Sequence, residues 1–222
     1  IFAGTGREKK RDMEMRVDGI IFDVDGTLWD STEIVAGAWN QAIIEEGITD
    51  VHLTGEILKG LFGKTMDVIA KNILPEATEE QRERILERCC RYEHEALAAS
   101  EEDITYPQVI EVIRTLAERY PLFIVSNCQS GYIELFLEKT GLGKFVTDME
   151  CFGNTKRPKG ENIRSVADRN GLDFPVYVGD TLGDYEACEI AKVPMIFAGY
   201  GFGEAPDAEA EIGQFQELLE IF

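Results

Sequence analysis

The chain has 222 residues, 44% apolar and 29% charged, an ordinary globular composition that allows one or two domains. Its formal charge of -20 argues against nucleic acid or an anionic membrane surface as partner, since both demand basic patches. No run approaches the roughly 20 apolar residues of a membrane span.

Residues 1–15 carry Arg7, Glu8, Lys9, Lys10 and Arg11 with no apolar h-region, and are read as an N-terminal extension outside the fold rather than a signal peptide. The first strand is expected over 17–24 through Ile20, Ile21 and Phe22, and Gly26 then turns the chain. Asp30 followed by Glu33 reads as an N-cap pattern. Ile34, Val35, Ala38, Trp39, Ala42 and Ile43 then make a helical stripe closed by Gly47. Short helices are expected over 54–61 and 65–72. Thr78 and Gln81 form a capping box opening a long helix through Ile85, Cys89, Tyr92 and Ala96. No convincing strand falls between Asp30 and Ser100, so residues 30–100 are expected to form an all-helical cap.

From Pro107, placed at a first helical position, helices and strands alternate. Val109, Ile110, Ile113, Leu116 and Ala117 form one helical face; strands follow over 122–125, 149–152, 176–178 and 195–198. Helices are expected over 131–139, 161–170, 184–192 and 214–219. Near-continuous apolar strands separated by helices mean a parallel sheet covered on both faces. The expected fold class is α/β, a Rossmann-like three-layer core of residues 16–29 and 101–222 plus the inserted cap. The five cysteines, Cys89, Cys90, Cys128, Cys151 and Cys188, contain no C-x-x-C pair and read as reduced, mostly buried thiols of a cytoplasmic protein. His52 and His94 have no metal-ligand spacing.

The chemistry gathers at strand ends. Asp23 and Asp25 leave the first strand, where like charges this close raise each other's pKa and call for a cation or a shared proton. That is also where open α/β sheets place their ligands. The pair reads as a magnesium site with a carboxylate nucleophile, or as a solvated Asp-rich turn. Ser126-Asn127 follows the second core strand, and Asp180 and Asp184 follow the strand at 176–178. Between them lies Lys156-Arg157-Pro158-Lys159.

Together these residues resemble the four motifs of the haloacid dehalogenase superfamily, in its phosphatase branch with a helical cap, from about Met15 to the C-terminus. The resemblance implies that Asp23 is the nucleophile and that Asp25 is the acid and then the base. It implies that Thr27 orients Asp25 and belongs with the phosphate-contacting groups, and that Ser126 and Asn127 hold phosphate oxygens. Lys159 would neutralise nucleophile and phosphate; Lys156 is a rival, and Lys159 is preferred because it directly precedes the helix at Glu161. Asp23, the backbone carbonyl of Asp25, Asp180 and Asp184 would hold Mg2+. Gly63 and Lys64, in Leu61-Phe62-Gly63-Lys64-Thr65, would be the cap loop that selects the substrate.

The implied activity is a magnesium-dependent phosphatase acting on a small phosphorylated metabolite through an aspartyl phosphate, of the phosphoglycolate phosphatase kind. A sugar phosphomutase of the same superfamily and a receiver-like phosphorylation switch are the alternatives. The sequence leaves monomer or homodimer open.

Overall fold

The computed structural model describes residues 16–47, 50–205 and 207–222, so the extension expected over 1–15 lies outside the described residues. Six strands form one parallel sheet: β1 (Gly19–Phe22), β2 (Leu122–Ser126), β3 (Val146–Cys151), β4 (Pro175–Gly179), β5 (Met195–Ala198) and β6 (Ala210–Ile212). Their order is β3-β2-β1-β4-β5-β6. The chain therefore winds one way from β1 to β3 and the other way from β4 to β6. The switch lies between β1 and β4, whose carboxyl ends flank the crevice where such sheets hold ligands.

Alternate side chains go to opposite faces of a strand. Ile20, Phe22, Leu122, Ile124, Val176, Val178 and Ile196 join one buried cluster, and Ile21, Phe123, Val125, Tyr177, Met195 and Phe197 the other. The second face is covered by α8 (Lys159–Arg169) and α9 (Leu182–Ala191) through Ile163, Val166, Ala187 and Cys188. The first is covered by α5 (Val109–Leu116), α6 (Tyr132–Thr140) and the C-terminal Phe215 and Leu218. Burial on both faces is why these strands read as apolar runs without alternation.

Between β1 and α5 lies the helical insert: α1 (Thr32–Glu46), α2 (Gly55–Lys59), α3 (Met66–Ile73) and α4 (Glu79–Ala99). The capping box of Thr78 and Gln81 is formed, and Gly47 closes α1 in the left-handed conformation (φ 66°). Chain leaves for the insert and returns from it side by side: Asp30 N–H donates to Ile104 O (2.9 Å), and Tyr106 N–H to Leu28 O (3.0 Å). Two short joints thus tie helices to sheet.

Several boundaries differ from expectation for local reasons. Ser31, not Asp30, is the N-cap of α1; Asp30 accepts from the backbone and hydroxyl of Thr32 and pairs with Lys59 at 3.1 Å. Pro107 lies in a turn ahead of α5, whose N-cap Gln108 is left-handed (φ 64°). The strand expected over 149–152 runs Val146–Cys151, and Phe152 opens the short α7 (Phe152–Thr155). The expected last helix is a 3-10 turn at Phe215–Glu217 followed by α10 (Leu218–Ile221). β6 was not expected, since three residues of one edge strand carry too little pattern to read.

Candidate active site

Asp23 stands at the end of β1, with its backbone N–H on Val178 O of β4 (2.9 Å). Across the switch, Asp180 follows β4, and Asp184 occupies the third position of α9, where it closes a capping box with Thr181. Lys159, first residue of α8, reaches under the sheet edge to Asp23 Oδ2 (3.1 Å) and Asp184 Oδ1 (2.6 Å). All four side chains are buried. Burial pulls the Lys159 ammonium toward neutrality, but the carboxylates of Asp184 and Asp23 outweigh it and hold the proton on. Burial pushes Asp23 up to about 6 against the pull of Lys159, with Asp184 adding to the rise. Burial and the like charges of Asp184 and Asp23 also raise Asp180. For Asp184, burial is overcome by Lys159 and the Thr181 bonds, which hold it below the ordinary carboxylate range.

Oxygens of Asp23, Asp180 and Asp184 lie within 4.8 Å of one another. Asp23 Oδ1 is buried with no hydrogen-bond partner among the described residues. A buried acceptor without a donor is costly, and an all-oxygen donor set is the kind that suits a hard divalent cation. The residues present therefore fit a magnesium ion. The Asp25 side chain is not in this cluster, in keeping with a carbonyl-only part for that residue.

Asp25 has different surroundings. Its Oδ1 accepts from Trp29 Nε1 (3.0 Å), Ser31 Oγ (2.6 Å) and Tyr132 Oη (2.8 Å), while no hydrogen bond among the described residues ends on Oδ2. Burial raises this carboxyl to about 7, against the lowering effect of the three donors. The two-residue offset turns Asp25 out of the cation cluster into a cavity that it shares with Asp23, Ser126 and Asn127.

The cap closes that cavity with Trp39, Phe62, Met66 and Ile69. Two amide bonds cross from the loop after β2: Asn127 Nδ2 donates to Gly63 O (2.8 Å), and Gln129 Nε2 to Glu93 Oε1 (2.8 Å). Gly63 is left-handed (φ 86°), and a Cβ there would press on Thr181 Oγ1 at 3.2 Å. Glu93 Oε2 also accepts from Trp39 Nε1 (2.7 Å), and burial, opposed by those donors and reinforced by Asp25, lifts Glu93 to about 7.

Of the residues singled out in the sequence, Asp23, Asp25, Ser126, Asn127, Gly63 and Lys64 line the cavity. Lys159, Asp180 and Asp184 stand behind Asp23. Lys156 is exposed and left-handed (φ 58°), so Lys159 alone meets Asp23. Lys159 starts α8 rather than preceding a helix at Glu161. Thr27 departs from expectation. Its hydroxyl donates to Asp180 Oδ1 (3.2 Å), not to Asp25, and it does not line the cavity. The reason is the left-handed turn at Gly26 (φ 80°), which carries Thr27 toward β4.

Lys64 Nζ donates to Gly60 O (3.0 Å). Tyr132, Glu93 and Gln129 were missed. Glu93 did leave a signal: the buried stripe of α4 is Ile85, Cys89, Glu93 and Leu97, a four-residue repeat in which one position is charged. His52 and His94 are exposed, and all five cysteines are unpaired thiols, four of them buried.

This geometry defines a hydrolase built on an acidic strand-end site, and the chain belongs to the family described as haloacid dehalogenase-like hydrolase, whose model matches residues 20–198. Among curated relatives, the phosphoglycolate phosphatase of Agrobacterium fabrum is 27% identical, covering 86% of this chain and 84% of its own. That of Escherichia coli is 26% identical over 92% and 91%. A predicted phosphoglycolate phosphatase from Haemophilus somnus superimposes with a TM-score of 0.81 at 21% identity, covering 95% of this chain and 99% of its own. CbbY of Rhodobacter sphaeroides, solved with xylulose-(1,5)bisphosphate, gives 0.78 at 17% identity, over 91% and 96%. Family membership sets the receiver-like alternative aside. Among the described residues no helix is long and apolar enough to cross a membrane.

Proposed function

We propose that this chain is a magnesium-dependent phosphatase that hydrolyses a small phosphate monoester through an aspartyl phosphate, with residues 30–100 acting as its cap. The observation that carries the reading is the contrast between two carboxyls two residues apart. Asp23 rests on the Lys159 ammonium beside two further carboxylates, whereas Asp25 rests on three neutral donors. Environments that separate two carboxyls in this way divide nucleophile from acid.

Asp23, ionised, attacks phosphorus as the bond from phosphorus to the leaving oxygen breaks, and Asp25 gives that oxygen its proton. Asp25, now ionised, takes a proton from water, whose oxygen attacks phosphorus and frees the Asp23 carboxylate. Lys159 keeps Asp23 ionised and offsets phosphate charge; Ser126 and Asn127 donate to phosphate oxygens. Asp23, Asp180 and Asp184, with the Asp25 carbonyl, would hold magnesium, which supplies positive charge against the phosphate. Thr27 steadies Asp180. The cavity measures about 30 Å3, smaller than a phosphate ester, so the cap is expected to move when one enters.

The test is phosphate release from sugar phosphates, phosphoglycolate and nucleoside monophosphates, with magnesium and with chelator, beside Asp23→Asn. Release should need magnesium, vanish in the variant, and leave the folded signal intact on chelation. Substantial turnover by Asp23→Asn would refute the nucleophile assignment.

A further inference from the structure

The cap side of the cavity is an apolar wall with two ionisable groups in it, and they are not equivalent. Lys64 is exposed and its ammonium is engaged by its own turn at Gly60 O. Glu93 is 3% exposed. Its two oxygens are held by the indole of Trp39 and the amide of Gln129, both neutral, and no cation among the described residues faces it. Burying a carboxyl without a counter-ion is unfavourable. A glutamine or leucine would serve packing in α4 with less cost. Glu93 instead points a carboxyl into the cavity that Asp25 lines from below.

On the phosphatase reading, the leaving oxygen lies beside Asp25, so the rest of the leaving group runs between Asp25 and the cap wall. The two N–H donors already fix Glu93 as an acceptor. What can join its lone pairs is a further donor; what it repels when ionised is another carboxylate. We propose that Glu93 is a specificity-determining residue, which accepts a hydrogen bond from a hydroxyl or ammonium on the leaving group and disfavours carboxylate-bearing esters, phosphoglycolate included. This inference rests on the proposed phosphatase activity. It places substrate selection on Glu93 as well as on the loop of Gly63 and Lys64.

A matched set of esters tests it with the magnesium-loaded enzyme: 2-hydroxyethyl phosphate, 2-aminoethyl phosphate and phosphoglycolate at two carbons, glycerol 3-phosphate and 3-phosphoglycerate at three. A donor-bearing ester should exceed its carboxylate counterpart in kcat/KM by about a hundredfold, the scale of one hydrogen bond to a charged group gained and one like-charge contact avoided. The hydroxyl and amine members identify which donor is preferred. Glu93→Gln should bring the ratio to within about tenfold, chiefly through KM of the donor-bearing ester. A purely structural role would lower both members together and leave the ratio unmoved, which would overturn the proposal. Wild-type preference for the carboxylate members would overturn it without any variant, should Glu93→Gln not fold. Release from no ester would instead overturn the phosphatase reading, and this inference with it.

Discussion

Lys159→Met isolates the electrostatic logic of the site. Methionine nearly matches the lysine stem in volume, so the main change is loss of an ammonium 3.1 Å from Asp23 Oδ2 and 2.6 Å from Asp184 Oδ1. Removing one partner of a buried ion pair costs about 3–5 kcal/mol, because the charge left behind has lost both water and partner. Here Asp23, Asp180 and Asp184 are left together. With a urea m-value of about 2–3 kcal/mol/M, the midpoint should fall by roughly 1.5 M in chelator at pH 7.5.

The pH dependence has a definite sign. Lys159 is raised in the fold, so its contribution is fully present below about pH 10 and lost only above it. Asp184 is lowered, so its contribution is present above about pH 4 and lost as pH falls. Asp23 is itself raised to about 6, so the gap between wild type and variant is widest from about pH 7 to 10. It narrows in acid, where the variant's unpaired carboxylates take up protons. Urea melts at pH 7.5 and 5.0 measure this. A midpoint change under about 0.3 M at pH 7.5, or a gap that does not narrow at pH 5.0, would refute the reasoning.

Three further outcomes follow from local geometry. In the magnesium-loaded enzyme, kcat/KM should fall as Asp25 loses its proton through about pH 7. Tyr132→Phe removes a donor that favours ionised Asp25, so the alkaline limb should move up by about one pH unit; a limb that stays or moves down contradicts the assignment. Gly26→Ala forces a left-handed alanine (φ 80°) whose Cβ runs into Asp180 Oδ2. Calorimetric magnesium affinity should drop at least about tenfold, the equivalent of about 1.4 kcal/mol of strain passed to the ligand. Unchanged affinity would show that Asp180 does not bind the ion.

What could be read from the sequence was whatever a short window records. Ile20 to Phe22 ending in Asp23, Val176 to Val178 ending in Gly179-Asp180, and the Thr78–Gln81 box each state their structure within a few residues. Strand ends were therefore legible, and with them most of the site. Groups that depend on long-range placement were not. Tyr132 lies 107 positions from Asp25, and Gln129 lies 36 from Glu93. No local pattern announces either contact. Thr27 illustrates the reverse case: the family resemblance set it beside Asp25, while the left-handed turn at Gly26 carries its hydroxyl to Asp180, 153 positions away. Pro107 failed similarly, since its fixed φ suits a helix start and a turn equally well.

A net charge of -20 opposes the approach of an anionic substrate, and the site shows how such a chain could accommodate one. Asp23, Asp25, Glu93, Asp180 and Asp184 are gathered around or behind one cavity, and the buried cation among them is Lys159. Two of those acids, Asp25 and Glu93, are raised to about 7 and are in part neutral near that pH. Asp23 and Asp184 share Lys159 and already offset its one charge, and Asp180 adds to the acidic side when it ionises. A phosphate dianion entering that field is repelled unless a divalent cation has first been bound by the same acids. On the proposed reading, the acidic excess that opposes phosphate is the ligand set for the cation, and cation before ester is the expected order of addition.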